Sequence, residues 1–138
     1  AGGDAVRGRA PAHCVATGKA MLAWAGEPAL AALVSRLRMY SPQTVTAPAE
    51  FLRELERVRQ LGYAVNRGEW RDTVGGLAAP VRGPDGAVIA AVGISGPIER
   101  LRPATVRTLS GDVLHAARGI AASLAGDPGT PALTRHAA

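Results

Sequence analysis

Leu77-Ala-Ala-Pro-Val-Arg-Gly-Pro-Asp-Gly-Ala-Val-Ile-Ala-Ala-Val-Gly-Ile-Ser-Gly-Pro97 decides the fold: two apolar runs folded about Gly83-Pro84-Asp85-Gly86 and closed by Ser95-Gly96-Pro97. Pro84 presets φ at the second turn position, Asp85 and Gly86 tolerate the conformations that follow, and Val81 and Val88-Ile89 supply β-branched strand residues. The reading is an antiparallel, largely buried hairpin. Small residues dominate both arms (Ala78-Ala79, Ala90-Ala91, Gly93), so a helix or a ligand must approach this sheet closely.

Working outward, Tyr63-Ala-Val-Asn66 reads as a short strand, joined to the hairpin by the polar excursion Arg67 to Thr73. Before it, Phe51, Leu52, Leu55, Val58 and Leu61 form an expected buried helical stripe that Gly62 stops. Leu30, Leu33, Val34 and Leu37, with Pro28 in the first turn, predict another helix. A short helix is expected over Lys19-Ala-Met-Leu-Ala-Trp-Ala25, capped near Thr17 and ended by Gly26. After the hairpin, a helix from Pro103 to about Leu124 places Val106, Leu109, Val113, Ala117, Ile120 and Leu124 on one face, with Gly111 and Gly119 weakening it locally. Helices, strands and a final helix give an α+β class with an antiparallel sheet. Ala1 to Arg9 reads as a poorly ordered lead-in, and residues 127–138 as a flexible tail.

The 138 residues, 47% hydrophobic, suit one globular domain over residues 1–126. Aromatics are scarce at 4%, so packing relies on Ala, Val, Leu and Ile. The net charge of +5 is carried by scattered arginines, with Lys19 the single lysine, and no basic block with interleaved aromatics marks a nucleic-acid surface. The lone Cys14 excludes an internal disulfide and points to a reducing compartment, with cytoplasm the default. No signal peptide or membrane span is read from the chain.

His13-Cys-Val-Ala-Thr-Gly-Lys-Ala-Met-Leu-Ala23, Leu61-Gly-Tyr-Ala-Val65, Leu77-Ala-Ala-Pro80 and Ile94-Ser-Gly-Pro97, in this order and spacing, resemble the effector-binding domain of the IclR family of bacterial transcriptional regulators. The resemblance implies a GAF-like sheet flanked by helices, a small organic acid effector, and a homodimer or tetramer. It implies contact with DNA only through a winged helix-turn-helix domain that this chain does not supply. The first strands of the effector domain are likewise expected to be missing from the N-terminus. Carried over position by position, the family's ligand pocket falls on Ala16, Thr17, Asn66, Gly76, Gly93 and Ser95. Donors at a helix start would favour a carboxylate, and Asn66, Ser95 and Thr17 would orient it.

Where a family pocket for a small oxo-acid tends to carry Asp, Cys and Ser, this chain has Asn66, Gly76 and Gly93. The expectation is an enlarged cavity for a larger, aromatic-sized ligand with one carboxylate. Replacing Gly93 by a larger residue is then expected to block the ligand without unfolding the domain.

Other readings stay open. Cys14 reads as a small buried hydrophobe, His13 as satisfying a strand end ahead of lining the pocket, and Lys19 as exposed. Trp24 and Met21 read as packing or interface, and Trp70 as a pocket cap, a subunit contact or a surface residue. A GAF-like sensor of another signalling protein is one alternative. An enzyme is another, but Asp4, His13, Cys14, Glu69, Asp72 and Asp112 are dispersed without nucleophile-base spacing. No catalytic residue, metal site or cofactor is expected.

Overall fold

A computed structural model describes residues 10–126. The expected lead-in, Asp4 and the tail from residue 127 lie outside the described residues. After a 3₁₀ turn at Ala12–Cys14 come α1 (Ala16–Leu22), α2 (Glu27–Val34), α3 (Pro48–Leu61), β1 (Ala64–Arg67), β2 (Val74–Arg82), β3 (Val88–Pro97), a second 3₁₀ turn at Ile98–Arg100, and α4 (Pro103–Gly126).

The hairpin forms where the sequence places it. Gly83 and Ala87 close the loop through Gly83 N–H donating to Ala87 O at 2.8 Å, Asp85 Oδ1 accepts from Ala87 N–H at 3.1 Å, and Gly86 takes φ +86°. These bonds fix the register Gly76 opposite Ser95, Ala78 opposite Gly93 and Pro80 opposite Ala91. β1 adds to the other side of β2, giving an antiparallel sheet in the order β1-β2-β3. Pro80 falls beyond Ala78, the last residue of β2 paired with β1, so a residue without an N–H sits where the central strand has a free side.

Helices cover both faces. On one, Ala64, Ala78 and Ala91 meet Ala16, Ala20 and Ala23 of the α1 region and Phe51, Leu55 and Val58 of α3. On the other, Ala79 and Val81 meet Val113 and Ala117 of α4, with Tyr63, Leu114 and Ile120 at the margin. The alanines let helix axes approach the sheet closely. Burial of Phe51, Leu55 and Val58 contributes about 1.5–3 kcal/mol each.

The sequence reading needs correction at four places. Leu52 and Leu61 are not in the core but 42% and 48% exposed. Residues 51, 55 and 58 already form a complete i, i+4, i+7 seam, which turns these two leucines off to its sides. α1 begins at Ala16, not at Lys19, and its N-cap is Val15 with no side-chain cap, so Thr17 is a residue of the first turn and not the cap. β1 starts at Ala64, because Tyr63 follows the left-handed Gly62 (φ +84°) that ends α3. α4 runs two residues past its expected end, with Val106, Val113 and Ala117 buried as its periodicity requires and Ser110 beside them.

Candidate functional site

Sheet register builds the floor of a cavity. Asn66 lies opposite Gly76, and Gly76 opposite Ser95, so one ladder row across all three strands carries three of the expected positions. The next row on the same face is Ala64, Ala78 and Gly93. The first turn of α1 stands over this face, with Ala16 and Thr17 at the rim. All six expected residues, Ala16, Thr17, Asn66, Gly76, Gly93 and Ser95, line one half-open cavity of about 260 Å³, together with Val15, Trp70, Val74, Leu77 and Ile94. Among the described residues none donates a side-chain cap to the start of α1. The first N–H groups of the helix, which have no intrahelical acceptors, are therefore left without a side-chain cap as well.

The glycines act differently from the expectation. A Cβ at Gly76 would stand 2.5 Å from the Ile94 carbonyl oxygen. A Cβ at Gly93 would stand 2.8 Å from Leu77 O, 3.0 Å from Ala78 Cβ and 3.1 Å from Thr17 Cγ2. Gly76 is closed by the main chain of β3, and Gly93 by β2 together with Thr17 of α1. They serve close packing, and a larger residue at Gly93 would have to displace its neighbours, so blocking the ligand there carries a cost in stability.

Asn66 is buried, and its Oδ1 accepts from the Glu69 N–H at 2.9 Å. No partner for its Nδ2 is found among the described residues, so the amide keeps a donor for the cavity. Glu69 in turn pairs with Lys19, which is 1% exposed and not at the surface as the sequence reading had it. Lys19 Nζ donates to Val65 O at 2.6 Å and to Glu69 Oε2 at 3.0 Å. It lies 2.9 Å from Oε1, an ion contact without hydrogen-bond alignment, and 3.8 Å from Glu54 Oε1. Glu69 Oε2 also accepts from the Arg67 N–H at 3.2 Å. A lysine can be fully buried here because carboxylate and carbonyl oxygens surround its ammonium.

Trp70 resolves to the cavity wall, half-buried, with the Arg71 guanidinium 4.7 Å from its ring centroid. His13 does not line the cavity; its Nε2 donates to Arg38 O at 2.8 Å and its ring lies near Tyr40 and Phe51. Cys14 is buried, and desolvation, then the nearby Glu69 charge, pushes its thiol up to about 11 against an opposing effect of Lys19. It is therefore a protonated packing group and not a thiolate nucleophile. Asp72 and Asp112 are exposed and take no part in the cavity. Met21 is 40% exposed, and Trp24 packs at the edge of the core under Arg82.

A second cavity of about 350 Å³ on the far side of Glu69 is walled by Glu54, Arg57, Arg67 and Tyr63 among others. Its lining is rich in charged side chains, with Arg67 turned to Leu101 O and the Glu54 and Glu69 carboxylates turned toward Lys19. The smaller cavity differs in having a largely apolar wall with a few polar groups converging on it. Sequence reading missed the Lys19–Glu69 pair because 50 residues separate its members and neither sits in a local motif.

The family described as bacterial transcriptional regulator IclR C-terminal matches residues 5–122. The HTH-type transcriptional regulator BhcR of Paracoccus denitrificans is 30% identical over 119 residues, covering 85% of this chain and 43% of that protein. Among solved structures, the repressor BlcR of Agobacterium tumefaciens superposes with a TM-score of 0.80 at 25% identity, over 85% of this chain and 49% of that one. A double mutant of the PobR inducer-binding domain from Acinetobacter, in complex with 3-hydroxybenzoic acid, does so with a TM-score of 0.72 at 27% identity, over 80% and 65%. The chain spans less than half the length of the curated relatives it matches.

Proposed function

The chain belongs to the IclR family of bacterial transcriptional regulators, as its C-terminal, GAF-like domain, and we propose that it senses one small organic carboxylate in the cavity beneath α1. The observation that carries this reading is the convergence of Ala16, Thr17, Asn66, Gly76, Gly93 and Ser95, drawn from α1 and all three strands, on one cavity. In the bound state the carboxylate takes the free N–H groups at the start of α1 and the Thr17 hydroxyl. Asn66 Nδ2 and Ser95 Oγ orient the rest.

Size favours an aromatic acid. With about 30 Å³ per water in the liquid, 260 Å³ holds about nine water volumes. That matches a benzoate-sized ligand better than a two- or three-carbon oxo-acid, and the half-buried Trp70 offers a flat apolar wall. The presence of Asn66 rather than an aspartate removes a charge that would repel the ligand. The related PobR domain was crystallised with 3-hydroxybenzoic acid, an acid of this size.

Residues 10–126 act as the sensing unit of a longer, homo-oligomeric cytoplasmic regulator whose DNA-binding part lies outside this chain. The acid binds one arrangement of subunits more tightly than another, and this differential affinity shifts DNA binding. The role is regulatory and not catalytic, in keeping with relatives named as regulators. Among the described residues no helix is long and apolar enough to cross a membrane.

The test is thermal unfolding against benzoate, hydroxybenzoates, glyoxylate and pyruvate. Binding at a hundred times Kd adds about 2.7 kcal/mol. A shift with hydroxybenzoates and none with glyoxylate or pyruvate is expected; the reverse pattern, or no shift at all, overturns the reading.

A further inference from the structure

Asn66 and Trp70, two side chains of the cavity wall, belong to β1 and the connection after it. That connection is fastened by a segment that takes no part in lining the cavity. Ser41 Oγ donates to Gly68 O at 2.5 Å, and Thr44 Oγ1 donates to Glu69 O at 2.5 Å. Both residues are buried, at 7% exposure. Thr44 Oγ1 also accepts from the N–H groups of Tyr40 and Ser41, each at 3.0 Å, and Ser41 Oγ accepts from Gln43 N–H at 3.1 Å. Both hydroxyls donate and accept, and each holds a carbonyl of the connection between Asn66 and Trp70.

The same segment reaches the opposite wall. Arg38 O accepts from His13 Nε2 at 2.8 Å, and a carbonyl can only accept, so His13 carries its proton on Nε2. His13 lies two residues before Val15, where the α1 wall begins. One stretch of seven residues, 38–44, therefore spans both walls through side chain to main chain bonds.

We propose that Ser41, Thr44 and His13 are positioning residues of the ligand cavity: the 38–44 segment is a clasp that sets the placement of Asn66 and Trp70 relative to α1. The inference rests on the sensing role proposed above, and its consequence is that ligand affinity depends on residues that never touch the ligand. Thr44→Val removes a buried hydroxyl at nearly constant volume and frees the Glu69 carbonyl. About tenfold weaker binding of a hydroxybenzoate is expected.

The test uses the whole chain with Trp24→Phe, so that Trp70 is the only fluorophore of its kind, and follows quenching by acrylamide well below the melting temperature. Thr44→Val and Ser41→Ala should each raise the quenching constant about twofold, and Thr44→Ser should restore the parent value. Val113→Ala, which opens the other face of the sheet, should lower Tm yet leave quenching unchanged. Should Thr44→Val fold poorly, Ser41→Ala carries the same comparison. Quenching in both clasp variants no greater than in Val113→Ala overturns the proposal, as does a hydroxybenzoate that binds parent and Thr44→Val equally. If no acid of the panel binds the parent, the sensing role fails, while the quenching series still decides whether the clasp sets Trp70.

Discussion

Lys19 Nζ stands 2.9 and 3.0 Å from the two carboxylate oxygens of Glu69, with 1% and 11% of the two side chains exposed. A pair so withdrawn from water is not in itself a gain over apolar packing, but breaking it strands a charge. Because the Glu69 N–H also fastens Asn66, the pair is structurally continuous with the cavity.

Lys19→Met should therefore cost about 3–5 kcal/mol of stability, and Glu69→Leu a comparable amount. The double variant Lys19→Met/Glu69→Leu should lose clearly less than the sum of the two. Urea denaturation of the three proteins measures the coupling, and strict additivity would show that the two charges act independently.

Glycine substitutions should divide by neighbourhood. Gly93→Ala and Gly76→Ala press a methyl group against main chain of an adjacent strand and should destabilise by about 1–3 kcal/mol. Gly111→Ala and Gly119→Ala lie on the exposed side of α4 with nothing within 4 Å, and each should stabilise by about 0.5–1 kcal/mol. Melting temperatures of the four variants test this ordering.

Alkaline pH should expose the buried thiol. In the unfolded chain Cys14 ionises near its ordinary value of 9.0, whereas the folded chain keeps the proton to about 11. Over that interval the unfolded state binds fewer protons, so the contribution of Cys14 falls as pH rises through 9 and levels off above 11. Relative to Cys14→Ala, the native chain should lose stability across this window and nowhere below it, as read from denaturant midpoints at successive pH values.

Asn66→Asp preserves the acceptor for the Glu69 N–H while adding a negative charge to the cavity floor. For an acid that shifts the parent's Tm, calorimetry should register at least about tenfold weaker binding with the fold retained. Asn66→Ala instead removes the acceptor and should cost about 1–3 kcal/mol of stability.

What could be read from the chain follows the range of the interactions. Gly83 to Gly86 and the small residues around them specify a local turn and a close-packed sheet, and both are present. The six pocket positions came through family spacing, and the register then places Asn66, Gly76 and Ser95 in a single row. Lys19 was misread because its environment is made by Val65, Glu69 and Glu54, remote residues that no local pattern names. Gly76 and Gly93 show a related limit: absence of a side chain reads as empty volume in the sequence, whereas the packing of the neighbouring strand, and of Thr17 against Gly93, is visible only in the fold. Leu52 and Leu61 show that apolarity at near-helical spacing does not fix how wide a stripe the sheet covers.

Among the described residues the outer side of β1 meets side chains rather than another strand. The ammonium of Lys19 takes the Val65 carbonyl, and the carboxylate of Glu69 takes the Arg67 amide. These are the main-chain groups that an incoming strand would otherwise recruit. A single internal ion pair thereby occupies two of the main-chain groups on that edge, so the contact that buries a charge also lowers the edge's capacity to recruit a strand.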